Sequence, residues 1–143
     1  MKITEIMTSN PATCEPRTPL REVAKMMCDN DCGEIPVVES RRSLKPVGVV
    51  TDRDIACRVV GQGKNALELS AADCMTTPAV TVTADISLED CVETLERNHI
   101  RRVPVVDETG RCIGIVSQAD LALRADPAVA AEVLREVSSV ATR

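Results

Sequence analysis

The chain repeats itself. "IMTSNPATCEPRTPLREVAKMM", beginning at Ile6, runs in step with "CMTTPAVTVTADISLEDCVETL", beginning at Cys74. Met7 stands against Met75, Thr8 against Thr76, Thr13 against Thr81 and Leu20 against Leu88, a shift of 68 residues. The same shift sets "IPVV" (35–38) against "VPVV" (103–106). Beyond that point the shift drops to 66, because "SRRSLKP" is two residues longer than the matching turn around Thr109-Gly110. "GVVTDRD" (48–54) then meets "GIVSQAD" (114–120). A duplication that keeps its apolar runs, Pro, Gly and Asp in order restricts the fold to two copies of one supersecondary unit.

Each copy reads alike. "PATCE" and "AVTVT" are short extended runs. Leu20, Val23, Ala24 and Met27, like Leu88, Cys91, Val92 and Leu95, follow the spacing of one buried helical face. Thr18 before Pro19 suits an N-cap with Pro at the first helical position. "EIPVVE" and "RVPVVD" read as strands, and after a polar turn "PVGVVT" and "CIGIVS" read as their partners. Their unbroken Val/Ile runs predict burial on both faces. A second helix follows each, "DRDIACRVVG" with Gly61 near its end, and "QADLALRA". The unit is β-α-β-β-α, twice, an α/β (α+β) chain.

One unit of roughly 60 residues is too small to bury its own sheet comfortably. The two are therefore expected to pack sheet to sheet and share a core. The expected boundaries are 1–62 for the first repeat, 63–70 for a linker and 71–125 for the second repeat. A C-terminal helix over 126–143 is expected to start at Asp126-Pro127. Val129, Val133, Val137 and Val140 on it either pack on their own domain or contact a second subunit.

The composition narrows the partners. The chain of 143 residues has no Phe, Tyr or Trp, so any pocket for a base has aliphatic walls and no stacking platform. A net charge of −5 lacks the basic footprint of a nucleic-acid binder or of a protein drawn to anionic membranes. No run of about 18 apolar residues and no secretory core after Met1 is visible, which points to a cytoplasmic protein. Seven cysteines, an odd number, argue against a disulfide framework and for thiols used as small hydrophobes. Cys28 and Cys32, four apart, leave a thiol or metal sensor as an alternative, although His99 has no partner at ligand spacing. Gly61-Gln62-Gly63-Lys64-Asn65 fails as a phosphate loop, since Arg58 and Asn65 stand where Gly and Ser/Thr are needed. No nucleophile has a base beside it, and no catalytic constellation is expected.

The motif at each strand-to-helix junction admits two readings. Thr51 with Asp54, and Ser117 with Asp120, match a capping box: the hydroxyl accepts from a free helix N–H and the acid reaches back to the cap's own N–H. The same geometry suits a ligand. Free N–H groups and the hydroxyl would meet a phosphate, and the carboxylate would accept from a ribose diol.

Taken together, the Met-Thr openings (7–8, 75–76), the "IPVV" and "VPVV" strands and the two Gly-x-x-Thr/Ser-x-x-Asp segments resemble a tandem pair of CBS domains, a Bateman module, over roughly residues 1–125. That resemblance implies a free-standing bacterial regulatory module. It would bind adenine nucleotides, AMP or ATP, in clefts between the two repeats, with no catalysis of its own. It also implies a homodimer and a downstream protein partner. Thr51, Asp54, Ser117 and Asp120 would meet phosphate and ribose. Thr13 and Thr81 would meet the base through their backbone. Cys32, Ile35, Pro36, Ile100, Val103 and Pro104 would form the walls. Arg53 lies within the first motif, against Ala119 in the second. Arg101 and Arg102 flank the second cleft, against Gly33 and Glu34, so the two clefts are expected to differ in phosphate affinity. The alternative is a structural or interaction homodimer whose motifs are only caps.

Overall fold

The computed structural model describes residues 1–124 and Arg135. Val129, Val133, Val137, Val140 and the helix expected on them lie outside the described residues. The elements are α1 (Ile3–Ile6), β1 (Thr8–Ser9), α2 (Leu20–Asp29), β2 (Glu34–Val38), β3 (Pro46–Thr51), α3 (Asp52–Asp54), β4 (Val82–Thr83), α4 (Leu88–Asn98), β5 (Arg102–Val106), β6 (Cys112–Ser117) and α5 (Gln118–Arg124). After α3 the chain continues helically as a π turn over Ile55–Val59 and a 3₁₀ turn over Val60–Gln62. The architecture is mixed α/β with two sheets.

The compact units do not coincide with the repeats as the sequence orders them. One unit joins Met1–Asn10 to the described residues from Val80 onward, and the other is Pro11–Ala79. The opening of each repeat thus belongs to the unit built on the other repeat's strands. This differs from the expected boundaries at 62 and 71. The physical reason is strand pairing, which a linear repeat does not reveal.

In the unit built on the second repeat, the strand order is β1-β6-β5-β4. β5 and β6 are antiparallel, with Val103 opposite Val116. β4 lies parallel to β5, Val82 beside Val105, and β1 antiparallel to β6, Thr8 beside Ile115. In the other unit β2 and β3 pair antiparallel, and single bridges stand where the outer strands would be: Cys14 beside Val37 and Thr76 beside Val49. Applying the shifts of 68 and 66, Cys14–Val37 becomes Val82–Val105 and Thr76–Val49 becomes Thr8–Ile115. The duplication is therefore reproduced down to strand register.

The repeated Gly has its explanation here. A Cβ on Gly48 would sit 2.7 Å from the Thr76 carbonyl oxygen, and one on Gly114 would collide with the Met7 sulfur and come within 3.0 Å of the Thr8 carbonyl oxygen. Each Met-Thr segment lies so close over a central strand that only Gly fits beneath it.

Each unit has its own buried cluster. Leu20, Val23 and Met27 of α2 pack with Ile35, Val37, Val50 and Val59 in one. Cys91, Val92 and Leu95 of α4 pack with Ile3, Ile6, Val103, Val105, Val116 and Leu121 in the other. Each fully buried Val, Leu, Ile or Met contributes about 1.5–3 kcal/mol, so these apolar stripes, more than helix propensity, hold α2 and α4 in place.

Thr18 does not cap α2. Its hydroxyl accepts from the Glu15 N–H at 2.9 Å, Pro19 takes the cap position, and the N–H of Leu20 donates to the Leu69 carbonyl at 2.9 Å. Residues 63–70, expected as a linker, are in part built into the fold: Asn65 caps the 3₁₀ turn at Ala66–Glu68, and Ala66 and Leu69 pack on the core. In the second repeat Ser87 caps α4 by accepting from the Asp90 N–H at 3.1 Å. The left-handed stop after the 52–62 helical segment is Gly63, at φ 74°, rather than Gly61. No helix among the described residues is long and apolar enough to cross a membrane.

Candidate functional site

Both Thr/Ser-x-x-Asp motifs stand at the point where a central strand ends and a helix begins, and both form complete capping boxes. The Thr51 hydroxyl accepts from the Asp54 N–H at 3.0 Å, and the Asp54 Oδ2 accepts from the Thr51 N–H at 3.0 Å. The Ser117 hydroxyl accepts from the Asp120 N–H at 3.0 Å, and the Asp120 Oδ2 accepts from the Ser117 N–H at 2.9 Å. The next N–H in each motif is held identically: Asp52 donates to the Gly33 carbonyl and Gln118 to the Arg101 carbonyl, both at 2.9 Å. The cap reading of the sequence is thus realised in full, and the hydroxyl–carboxylate pair it creates is the same in both units.

The surroundings differ. Asp54 is only 9 % exposed. Its carboxylate also accepts from the Thr76 hydroxyl and lies 3.6 Å from Nε of Arg58. Arg58 in turn donates to the carbonyl oxygens of Cys74 and Met75, at 3.4 and 3.2 Å. Burial raises the Cys74 thiol pKa, and the neighbouring Asp54 charge raises it further. Around the second motif, the Oε1 of Gln118 is buried at the helix start and has no hydrogen-bond partner among the described residues.

Within the Pro11–Ala79 unit stand Thr13, Cys32, Ile35, Pro36, Thr51, Arg53 and Asp54; in the other stand Thr81, Ile100, Arg101, Arg102, Val103, Pro104, Ser117 and Asp120. Ile35 and Val103 are fully buried members of the two core clusters. Strand alternation turns them toward their own helices, while Pro36 and Pro104, also buried, take the opposite face with Thr51 and Ser117. Cys32 is half-buried, its thiol 3.6 Å from the Glu34 carbonyl oxygen, and Ile100 is half-buried against the core. Thr13 and Thr81, both half-buried, immediately precede Cys14 and β4. Arg53 and Arg101 are exposed and Arg102 half-buried.

Thr76 and Arg58 were not foreseen as neighbours of Asp54. The doubled Met-Thr dipeptide signalled the first, and the one-turn spacing from Asp54 signalled the second. His99 ends α4 in the left-handed conformation, at φ 53°, and is exposed. Among the described residues no three His, Cys, Asp or Glu side chains stand together as a metal site. The cysteines at 28 and 57 are exposed, while those at 14, 74, 91 and 112 are buried.

With this geometry in place, comparison with known proteins is informative. The CBS-domain protein YhcV of Bacillus subtilis is 37 % identical over 121 residues, 85 % of this chain and 83 % of that protein. The structure of the CBS domain protein PAE2072 from Pyrobaculum aerophilum, complexed with AMP, superposes with a TM-score of 0.79 at 27 % identity, covering 94 % of this chain and 99 % of that one. The CBS domain pair of protein MJ0100, in complex with 5′-methylthioadenosine and S-adenosyl-L-methionine, superposes with a TM-score of 0.74 at 27 % identity, covering 86 % of this chain and 94 % of that one. The sequence model of the CBS domain matches residues 3–61 and again 71–125. The chain therefore belongs to the CBS domain family and carries the domain twice.

Proposed function

We propose that the protein is a regulatory module that binds an adenine nucleotide, AMP or ATP, at the Thr51–Asp54 and Ser117–Asp120 motifs and performs no catalysis of its own. The observation that carries this reading is the identical hydroxyl–carboxylate pair at both strand-to-helix junctions. Relatives of the same fold that hold AMP, or methylthioadenosine and S-adenosylmethionine, support it. A carboxylate that accepts from one backbone N–H keeps lone pairs for a ribose diol. Binding would fix the conformation around each motif, and a protein partner would read that change.

A thermal-shift panel of AMP, ADP, ATP and S-adenosylmethionine tests this. A ligand at a hundred times its Kd stabilises by ~2.7 kcal/mol and raises Tm by roughly 5–10 °C in a chain of this size. No movement with any of them contradicts the proposal.

A second reading is favoured by one observation. Both capping boxes are complete within the chain itself, as a purely architectural role requires. In that case the protein is an interaction module, and substitution of Asp54 or Asp120 lowers stability while no adenosine compound has any effect.

A further inference from the structure

Met7 and Met75 recur at matched places but take no part in the Thr/Ser-x-x-Asp motifs. Each packs against the core cluster of its unit while staying half-buried. Neither is sealed as Met27 is, at 8 % exposure, nor free as Met1 is, at 71 %. The Met75 sulfur lies 3.2 Å from the place a Cβ on Gly48 would take, and the Met7 sulfur overlaps the place of a Cβ on Gly114. In both copies the thioether fills the space that the Gly leaves over a central strand. An oxygen added to that sulfur must find both room and a donor beside the same strand.

The nearby backbone donors are already engaged. The Met75 N–H donates to the Ala71 carbonyl at 2.9 Å, the Thr76 N–H to the Val49 carbonyl at 2.8 Å and the Val49 N–H to the Thr76 carbonyl at 3.0 Å. The Met7 N–H donates to the Ile3 carbonyl at 3.0 Å. A sulfoxide oxygen is a strong acceptor, and such a group held from water without a donor is destabilising. The readiest relief is for the Met-Thr segment to lift from the strand. Its pairing is short: β1 is two residues long, and Thr76 forms a single bridge beside Val49. In the Pro11–Ala79 unit that movement also parts the Thr76 hydroxyl from the Asp54 carboxylate and the Met75 carbonyl from Arg58, contacts of 3.3 and 3.2 Å.

We propose that Met7 and Met75 are modification sites at which a hydroperoxide loosens the exchanged opening segments. The sulfur lone pair attacks the terminal peroxide oxygen. The S–O bond forms as the O–O bond breaks, and the proton of the transferred oxygen passes to the departing one. The thioether is oxidised to a sulfoxide and the peroxide is reduced to water or an alcohol. Thiol-dependent enzymatic reduction of the sulfoxide restores the thioether and lets the segment seat again. This response does not depend on a ligand at either motif.

Titration of the full chain with hydrogen peroxide, read by peptide mass spectrometry and amide hydrogen exchange, tests this. Met7 and Met75 should each gain an oxygen later than Met1 and earlier than Met27. Once they have, the amides of Val49 and Thr76 should exchange at least about tenfold faster and Tm should fall by roughly 5 °C. Methionine sulfoxide reductase with a thiol reductant should restore both readouts, and the thiol alone should not. M7L/M75L removes both sulfurs with little change of volume and should keep its amide protection and Tm through the same treatment. Met7 and Met75 still thioethers when Met27 is oxidised, or both sulfoxides formed with Val49 and Thr76 as protected as before, overturns the proposal. Recovery with the thiol alone, or an equal fall of Tm in treated M7L/M75L, assigns the effect to other residues and overturns it as well. Should M7L/M75L fail to fold, amide exchange in the oxidised wild type and its reversal by the reductase decide.

Discussion

The Thr76 hydroxyl donates to the Asp54 carboxylate, 3.3 Å from one oxygen and 3.4 Å from the other. Thr76 opens the second repeat and Asp54 closes the motif of the first, so this contact ties the exchanged segment to the candidate site of its unit. Asp54 therefore serves the Thr51 N–H, the Thr76 hydroxyl and the Arg58 guanidinium, while Asp120 serves the Ser117 N–H.

That difference predicts unequal costs for the same substitution. D120A removes a cap and should cost about 1 kcal/mol. D54A also strips the contacts that the buried Asp54 carboxylate makes with Thr76 and Arg58, and should cost about 2–3 kcal/mol. Urea unfolding midpoints of the two variants check this. Equal losses would mean that the Thr76 and Arg58 contacts contribute nothing.

Gly48→Ala should destabilise by about 1–3 kcal/mol, because the new methyl meets a backbone carbonyl that cannot move aside as a side chain would. Gly114→Ala should do the same through Met7 and Thr8. Gly63→Ala meets nothing within 4 Å and should cost only the strain of its positive φ, about 1 kcal/mol. Thermal unfolding of the three variants reads the order directly.

Alkaline pH should loosen the fold through its buried thiols. Burial pushes Cys14 from 9.0 up to about 12, and Cys91 up to about 11. Between the unfolded and folded values the unfolded chain releases protons that the folded chain keeps. Stability is therefore whole below about pH 9 and falls as pH rises, by up to ~1.4 kcal/mol per pH unit for each such thiol. Urea midpoints at about pH 8 and about pH 10.5 should fall less in Cys14→Ala and Cys91→Ala than in the wild type. Parallel falls in all three would assign the effect elsewhere.

Much of the fold was legible because its signals are local. The Val/Ile runs, the helical stripes through Leu20 and Leu88, and the Thr/Ser-x-x-Asp boxes are written in neighbouring residues, and each formed where expected. The exchange of opening segments was not legible. Met7 and Met75 mark a repeat, but only strand pairing shows that each lies over the Gly of the other copy. Thr18 misled because its hydroxyl found the Glu15 N–H, three residues upstream, instead of the helix. An unbroken apolar strand hides which face each residue takes, so the turn of Ile35 and Val103 toward their own helices was not legible either. The difference between the 31–34 and 99–102 loops was visible as Gly33-Glu34 against Arg101-Arg102. The matched left-handed turns and strand register show that both loops stand at the same place.

Nuclear magnetic resonance of the ¹⁵N-labelled chain during titration with AMP tests the central claim most directly. The amides of Asp54 and Asp120 donate to the cap hydroxyls, so any ligand that engages a motif must disturb them. The account predicts a saturable shift of the Asp120 amide, with its neighbours from Ser117 onward moving in step. Unmoved amides at both motifs, while AMP is present far above the concentration of the protein, would contradict it.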